Sequence, residues 1–283
     1  MNVNSAWQRA QEEANAIPAL RMQFFLSRIN YVMIMANDLL DLHAHTKDQL
    51  ISKYTSSMLT LLGENPQLLN ITSPTDIDIV NRTIKEGNMA HVSGYREWIL
   101  NQALVSLCTF LDAFLEETVD IVLRQRVDFL YDTKASKEAT FQEIVENGLS
   151  KVIDEVRRKE VGHFAHLTGI KSRVKYFESK LDILTNAIFD WSHFNDGHLF
   201  SHWTLDYLSD TYDKRHDVVH HDTYPIKTLK ELKEISDAFS KIILNLSREV
   251  RQKYSIMLDI NRTILLSELY QRYQKETRNS KNE

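Results

Sequence analysis

The chain has 283 residues, of which 43% are hydrophobic and 26% are charged, a balance that provides for a packed core and argues against wholesale disorder. It contains only seven glycines and four prolines. Because sheet proteins need both residues at many turns, this shortage predicts long helices joined by few loops. The net charge is −5, which counts against a protein that coats nucleic acid but is compatible with one local positive pocket.

Three features bear on the cellular compartment. The single cysteine, Cys108, lies in an apolar run and is predicted to be a small core residue that forms no internal disulfide. Residues 1–7 lack the basic start and apolar core of a signal peptide. The most apolar window, residues 20–42, contains Arg21 and Arg28, which are costly in lipid, so no membrane span is predicted there. We therefore expect a cytoplasmic protein.

The first long helix is predicted to begin at Leu20. From that residue, apolar side chains return at helical spacing as far as Leu62. Gly63 then provides a C-terminal stop, with Pro66 just beyond it. The segment 63–76 is accordingly predicted to be a loop.

A second, shorter helix is predicted after this loop. Thr75 or Asp76 could cap its N-terminus, and its apolar pattern ends near Glu86. Gly87 and Gly94 bracket a second weak point in the helical pattern. A boundary is therefore predicted near residue 93.

This boundary has two interpretations. It divides the chain into an N-terminal helical extension, residues 1–93, and a helical domain, residues 94–283, or it is only a loop between packed helices. The extension offers no catalytic chemistry, so we expect it to serve in sensing, regulation or dimerisation.

The helical pattern is strongest in the second part of the chain. One broad apolar face extends from Tyr95 to Leu123. Further helices are predicted from Ser136 or Thr140 to Ile153, from Lys171 to Ile188, from Leu205 to Asp222 and from Leu229 to Val250. Thr228 and Glu231 form a capping box at the start of the last helix. The predicted fold class is all-α, an up-and-down bundle of long antiparallel helices.

The segment Arg215 to His220 is the most informative part of the sequence. It places an arginine, four intervening residues and a histidine near the end of a predicted helix, and the polar His216 follows the arginine. This pattern resembles the motif of the HEPN superfamily (higher eukaryote and prokaryote nucleotide-binding), in which four to six residues separate the arginine from the histidine. With long amphipathic helices before the motif and a long helix after it, the resemblance covers residues 95 to about 255.

The resemblance implies a HEPN-like bundle and a function. Active HEPN proteins are metal-independent endoribonucleases, often toxins or antiviral defence effectors, that dimerise so that two motifs form one composite site. It implies Arg215, His220 and His216 as catalytic residues, an RNA substrate, a homodimer and a possible antitoxin or regulatory partner, with no cofactor or metal. In toxins silenced by adenylylation a tyrosine stands two residues after the histidine. Asp222 occupies that position here, so control by that route is not expected.

The chemistry of these residue types fits RNA cleavage. Histidine titrates near working pH and can move protons, and arginine stays charged and can bind phosphate oxygens bidentately. On an ideal helix Arg215 and His220 lie about 140° apart, whereas His216 and His220 share a face. Helix termination near His220, or a second subunit, would bring the Arg-His pair together.

A non-catalytic interpretation stays open. Arg215 could form a surface ion pair with Asp210 or Asp217, and His220 could stabilise the helix C-terminus, where a cation is favoured. The HEPN-like bundle would then bind RNA, nucleotide or a partner protein without cutting. A purely structural helical adaptor is a third hypothesis.

Other candidate residues have ordinary interpretations. His198 and His202 could bind a metal together with Asp196 or His193, and Glu116 or Glu117 could orient Arg215 or His220; loop histidines and a solvated helix face are the favoured interpretations. Four aromatic residues before the motif could stack on unpaired bases, although core packing is favoured. They are Trp191, Phe194, Phe200 and Trp203.

Overall fold

The computed structural model describes residues 3–17, 19–64, 74–134, 136, 140–260 and 262–279. The structure is 84% helical, with ten α-helices in the described residues. The predicted all-α helical bundle is therefore confirmed. The helices are α1 (Val3–Ala16), α2 (Met22–Glu64), α3 (Pro74–Gln125), α4 (Phe141–Asn147), α5 (Leu149–Ala165), α6 (Gly169–Leu181), α7 (Thr185–Ile188), α8 (Leu205–His221), α9 (Leu229–Tyr254) and α10 (Arg262–Asn279).

Shorter elements join these helices. Turns of 3₁₀ helix lie at Val127–Leu130, Trp191–His193 and Gly197–Phe200. Two strands of two residues each, β1 (Ala19–Leu20) and β2 (Met257–Leu258), pair in parallel, with Ala19 opposite Met257. The pairing holds the segment before α2 to the segment after α9.

Helix α3 differs from its prediction. The sequence predicted a short helix ending near Glu86 and a weak point between Gly87 and Gly94, but α3 is one helix across all of these positions. A glycine inside a helix costs only about 1 kcal/mol relative to alanine, and packing along the rest of the helix offsets it. The predicted loop 63–76 is also shorter at both ends, and its residues 65–73, with Pro66, lie outside the described residues.

Two helices predicted as continuous are broken by residues in unusual backbone conformations. Gly148, at φ 82°, separates α4 from α5. Asp182, at φ 48°, ends α6 before the short α7. A residue with positive φ leaves the right-handed helical region, so each break is local and abrupt.

The chain forms two compact units. Unit 1 comprises Met1–Arg28, Thr109–Tyr212 and Ala238–Glu283, and unit 2 comprises Ile29–Cys108 and Asp213–Asp237. This division differs from the boundary predicted at residue 93, because α3 continues through that position. The sensing, regulatory or dimerising role of residues 1–93 stays a prediction.

Unit 1 is built on a large aromatic and aliphatic core. Its fully buried side chains include Phe114, Phe164, Phe177, Trp203 and Phe239. The centroid of the Phe164 ring lies 5.7 Å from that of Phe177, edge to face, a favoured arrangement for aromatic pairs. This core brings α3, α5, α6 and α9 together.

Hydrogen-bonded charges lie around the core of unit 1. Asp112 accepts hydrogen bonds from Arg173 Nη1 at 2.5 Å and from the Tyr212 hydroxyl at 2.8 Å. The Tyr176 hydroxyl on α6 donates to the buried Glu160 on α5 at 2.7 Å. Burial, followed by this hydrogen bond, raises the pKa of Tyr176. Each of these carboxylates thus has a hydrogen-bond donor on a neighbouring element.

Unit 2 is centred on an antiparallel pair of helices. Asn88 on α3 donates to the Thr55 hydroxyl on α2 at 3.2 Å, and further along the pair the rings of His43 and Tyr95 lie 6.2 Å apart. Residues 43 to 55 of α2 therefore run against residues 95 to 88 of α3. Cys108 is fully buried, as predicted.

One helix of the described residues, Asp78–Gln125, is long and apolar enough to cross a membrane by length and composition. Half of its apolar window is buried inside the protein. A core helix meets the same criterion, so the finding is weak evidence for a span.

Candidate functional site

The predicted motif lies in the last two turns of α8. Val218 is 7% exposed, and Arg215, one turn earlier on the same side of the helix, is partly buried. His216 and His220 are exposed. The arginine therefore lies on the packed side of α8 and the histidines lie on its outer side.

Arg215 has a buried nitrogen without a partner. Its Nε is shielded from solvent and makes no hydrogen bond. Arg215 forms no salt bridge within the described ranges either, so the surface ion pair required by the non-catalytic interpretation is absent from that part of the chain. A buried donor left unpaired costs roughly 1–3 kcal/mol, a cost that an external acceptor would remove.

The histidines form a cluster at the end of α8. The ring centroids of His216 and His220 lie 4.4 Å apart, and those of His216 and His221 lie 5.7 Å apart. The prediction that His216 and His220 share one face is therefore confirmed. All three rings are exposed and open to a substrate.

Helix α8 ends one residue after His220, at His221. Asp222 adopts φ 49°, and the Thr223 amide donates to the Asp217 carbonyl at 3.5 Å. The chain is helical from Arg215 through His220, so helix termination does not bring these two residues onto one face. The second arrangement, in which another subunit completes the pair, stays a prediction.

A buried asparagine holds the segment after the motif. Asn101 on α3 donates from Nδ2 to the Ile226 carbonyl at 2.9 Å and accepts from the Ile226 amide at 3.0 Å. Both residues are fully buried. Sequence reasoning missed Asn101; the available signal was the amide pair Asn101-Gln102 inside the apolar run of α3.

The same segment leads into a capped helix. The Glu231 carboxylate accepts from the Thr228 amide at 3.1 Å, and the Thr228 hydroxyl accepts from the Glu231 amide at 3.2 Å. The predicted capping box is therefore confirmed. Lys227 adds an ion pair with Glu97 at 2.7 Å. Residues 226–231 thus fix how the chain leaves the motif.

A groove of about 700 Å³ runs between α2 and α3 within unit 2. Tyr224, from the segment after the motif, also lines it, and its hydroxyl donates to Asp222 at 2.8 Å. We call this feature the α2–α3 groove. It is lined by Leu39, Leu42, His43, Thr46, Leu50, Ala90, His91, Gly94, Tyr95, Trp98, Ile99 and Tyr224. Sequence reasoning did not find it, because its walls come from helices that only tertiary packing brings together.

The other candidates have structural roles. Glu117 accepts hydrogen bonds from the amide and the Nε of Arg21 at 3.1 Å and 2.8 Å, and Glu116 is exposed. Trp203 is 1% exposed and Trp191 is 9% exposed, so core packing is confirmed for both tryptophans. Glu117 is therefore a hydrogen-bond partner of Arg21.

The histidines before the motif also have local roles. His193 Nε2 lies 2.9 Å from Asp190, and Asp196 accepts from Lys241 at 2.8 Å. Within the described ranges, no three histidine, cysteine, aspartate or glutamate side chains are grouped to hold a metal ion. The residues proposed to assist His198 and His202 have these other partners.

Comparison of the chain with protein-family models, with curated proteins and with solved structures gives no match. The relation to HEPN proteins therefore rests on the motif and the order of helices, and it stays a prediction.

Proposed function

We propose that this protein is a metal-independent endoribonuclease of the HEPN type, a toxin or antiviral defence effector that acts in the cytoplasm. Arg215, His220 and His216 would form its catalytic site, completed by the same residues of a second copy. The observation that carries the proposal is the partly buried Arg215, which has no salt bridge in the described residues, on the same helix end as a cluster of exposed imidazoles.

Arg215 supplies the phosphate-binding group. Its guanidinium is positively charged at all relevant pH values and presents several donors in a fixed plane. The Nε is shielded from solvent, so an incoming phosphate oxygen would bind the terminal Nη groups of this partly exposed side chain, which form no salt bridge in the described chain. This makes the site selective for an anion.

The histidines supply proton transfer. Cleavage needs a base to take the proton of the ribose 2′-hydroxyl as its oxygen attacks phosphorus, and an acid to protonate the departing 5′-oxygen. The chain is then divided into one end with a 2′,3′-cyclic phosphate and one with a 5′-hydroxyl. Imidazole can perform either role near neutral pH, and the exposed His220 and His216 are accessible to substrate.

The geometry of α8 favours a site made from two copies. Arg215 and His220 lie about 140° apart around a regular helix, so one chain presents them in different directions. Two copies facing each other would place the arginine of one beside the histidine of the other. This geometry is a reason to expect the predicted homodimer.

The angle of about 140° between Arg215 and His220 around α8 also favours the alternative function. If no second copy brings Arg215 and His220 together, a HEPN-like module would bind RNA, nucleotide or a partner protein, and Arg215 would hold an anion without cleavage.

The test is cleavage of labelled RNA in EDTA by the wild type, Arg215→Ala and His220→Ala. We expect each substitution to reduce the rate by about a hundredfold or more. Matched controls are Arg251→Ala and His198→Ala, which change an exposed arginine and an exposed histidine outside the motif. Both controls should cleave like the wild type.

Mixing the two inactive variants tests the composite site. A mixed dimer keeps one intact arginine and one intact histidine on different chains, so cleavage should partly return. Failure to complement, with each variant dimeric and folded, would exclude pairing across subunits. Equal cleavage by all variants would exclude the motif as the catalytic site.

A further inference from the structure

We infer that the α2–α3 groove binds an unpaired nucleobase of the RNA, beside the Arg215–His220 motif. This inference rests on the proposed function and names a substrate subsite for it. The groove lies wholly within unit 2, which also contains residues 213–237 of the motif segment.

The lining of the groove selects an uncharged, planar ligand. All its lining residues belong to the described part of the chain, and none of them is lysine, arginine, aspartate or glutamate. Its volume, about 700 Å³, is within the usual range of small-molecule sites. A phosphate would find no counter-charge on these walls, whereas an aromatic base would find apolar surface.

Aromatic surface is available for stacking. The Trp98 side chain is 47% exposed although it lies on the groove wall. A tryptophan left open at this position provides a flat face on which a base can stack, and such stacking is independent of sequence. Leu39 and Leu42, 40% and 59% exposed, provide apolar surface on α2.

Hydrogen-bonding groups lie on the same walls. The Tyr95 hydroxyl is 3.1 Å from His91 Nε2, and the ring of His43 lies 6.2 Å from that of Tyr95. A neutral imidazole carries one donor and one acceptor, and a phenol can do both. This combination matches the mixed donors and acceptors on the edge of a base.

The groove is connected to the motif by Tyr224. This residue lines the groove and donates to Asp222, the residue that directly follows α8. Tyr224 is four residues after His220, so their Cα atoms are at most about 14 Å apart. A short single strand of RNA can therefore have a phosphate at the motif and a base in the groove.

Gly94 leaves part of the groove wall open. It lies inside α3, where glycine costs about 1 kcal/mol relative to alanine. A Cβ built on Gly94 meets nothing within 4 Å, so no neighbouring atom of the described chain requires a glycine there. Gly94 does line the groove, and its missing side chain keeps that part of the wall open.

The inference is tested by filling the groove. Gly94→Leu places a side chain in the open space and raises helix propensity, so the variant should fold. Gly87→Leu makes the same substitution two turns earlier on α3, where a Cβ also meets nothing within 4 Å and no groove wall is affected. Both are made in a His220→Ala background so that the RNA stays intact.

Affinity is measured by fluorescence anisotropy with short labelled oligoadenylate and oligouridylate. We expect Gly94→Leu to weaken binding about tenfold, the range for loss of one stacked base, and Gly87→Leu to leave it unchanged. An abasic residue placed at each position in turn should weaken binding at one position by a similar factor. In the Gly94→Leu variant, the same abasic residue should cause no further loss of RNA affinity.

The outcomes separate this inference from the nuclease proposal. Cleavage by the wild type with equal RNA affinity for both leucine variants would overturn the groove site alone. RNA binding that needs the open groove, without cleavage by the wild type, would overturn the nuclease alone. A change in oligomeric mass for Gly94→Leu, at unchanged RNA affinity, would show that a second copy occupies the groove and would overturn base binding.

Discussion

The two units treat enclosed arginines in opposite ways. In unit 1, Arg157 binds Asp120, and Arg173 binds Asp112 at 2.5 Å and donates to the Ala165 carbonyl at 2.8 Å. The Nε atoms of Arg157, Arg173 and Arg215 are all buried without a partner, and Arg215 differs because its guanidinium has no carboxylate partner in the described part of the chain. The guanidinium groups of Arg157 and Arg173 thus bind carboxylates of their own unit, whereas that of Arg215 does not.

Both units expose some large apolar side chains, and those of unit 2 lie along its long helices beside an open groove. In unit 2, α2 exposes Tyr31, Ile34 and Leu42, each about half accessible, and the α2–α3 groove is open. In unit 1 the large aromatic residues of the central helices are buried. An arginine without a carboxylate partner and open apolar surface are typical of a binding surface, and this combination is why we propose the binding function for unit 2.

The largest expected effect concerns the fully buried contact between Asn101 and Ile226 in unit 2. Asn101→Ala leaves the amide and carbonyl of the fully buried Ile226 without their partners. We expect the free energy of unfolding to fall by about 3 kcal/mol, measured by urea denaturation. RNA cleavage should fall as well, because the segment after α8 loses its anchor.

Asn88→Ala is the matched control. Asn88 also lies on α3, but it is only partly buried and makes one hydrogen bond, to Thr55 at 3.2 Å. Its loss should cost less than about 1 kcal/mol. Equal costs for the two substitutions would mean that Ile226 finds other partners and that Asn101 does not anchor the segment.

Asn101 also illustrates what the sequence could and could not predict. Patterns that act over a few residues were readable: the capping box of Thr228 and Glu231, and the shared face of His216 and His220. The bond from Asn101 to Ile226 spans 125 positions, and no local pattern encodes it. The continuity of α3 past its two glycines was missed for a related reason, since tertiary packing offsets a local cost.

The second prediction compares the two arginines directly. Arg173→Ala leaves Asp112 partly buried without its cation, and we expect a loss of about 2 kcal/mol in the free energy of unfolding. Arg215→Ala removes a buried donor that has no acceptor, so the free energy of unfolding should not fall and should rise by up to about 1 kcal/mol once the lost packing of the side-chain stem is subtracted. Thermal and urea unfolding measure both.

The contrast would fail if Arg215→Ala were as destabilising as Arg173→Ala. Arg215 would then be a structural residue of unit 2, and loss of RNA cleavage in that variant would no longer report on phosphate binding. A stable, inactive Arg215→Ala protein is the result that the proposed function requires.

The smallest expected effect compares two phenols at alkaline pH. Burial, followed by the nearby Asp182 carboxylate, raises the pKa of Tyr254 in unit 1 to about 12. An unfolded tyrosine titrates near pH 10, so the folded state keeps a proton that the unfolded state loses. The stability from neutral Tyr254 is therefore complete below pH 10 and is lost as the pH rises to 12.

Substituting phenylalanine for Tyr254 and for Tyr224 tests the contrast between the two units. Tyr254→Phe should reduce the fall in unfolding free energy between pH 10 and 12 by on the order of 1 kcal/mol, because phenylalanine has no proton to lose. In unit 2 the Tyr224 hydroxyl is exposed, and its pKa is raised by its hydrogen bond to Asp222. Tyr224→Phe should leave the alkaline fall almost unchanged. If it removed as much of the fall as Tyr254→Phe, the segment beside the α2–α3 groove would be as firmly enclosed as the core of unit 1, and the contrast between the units would not hold.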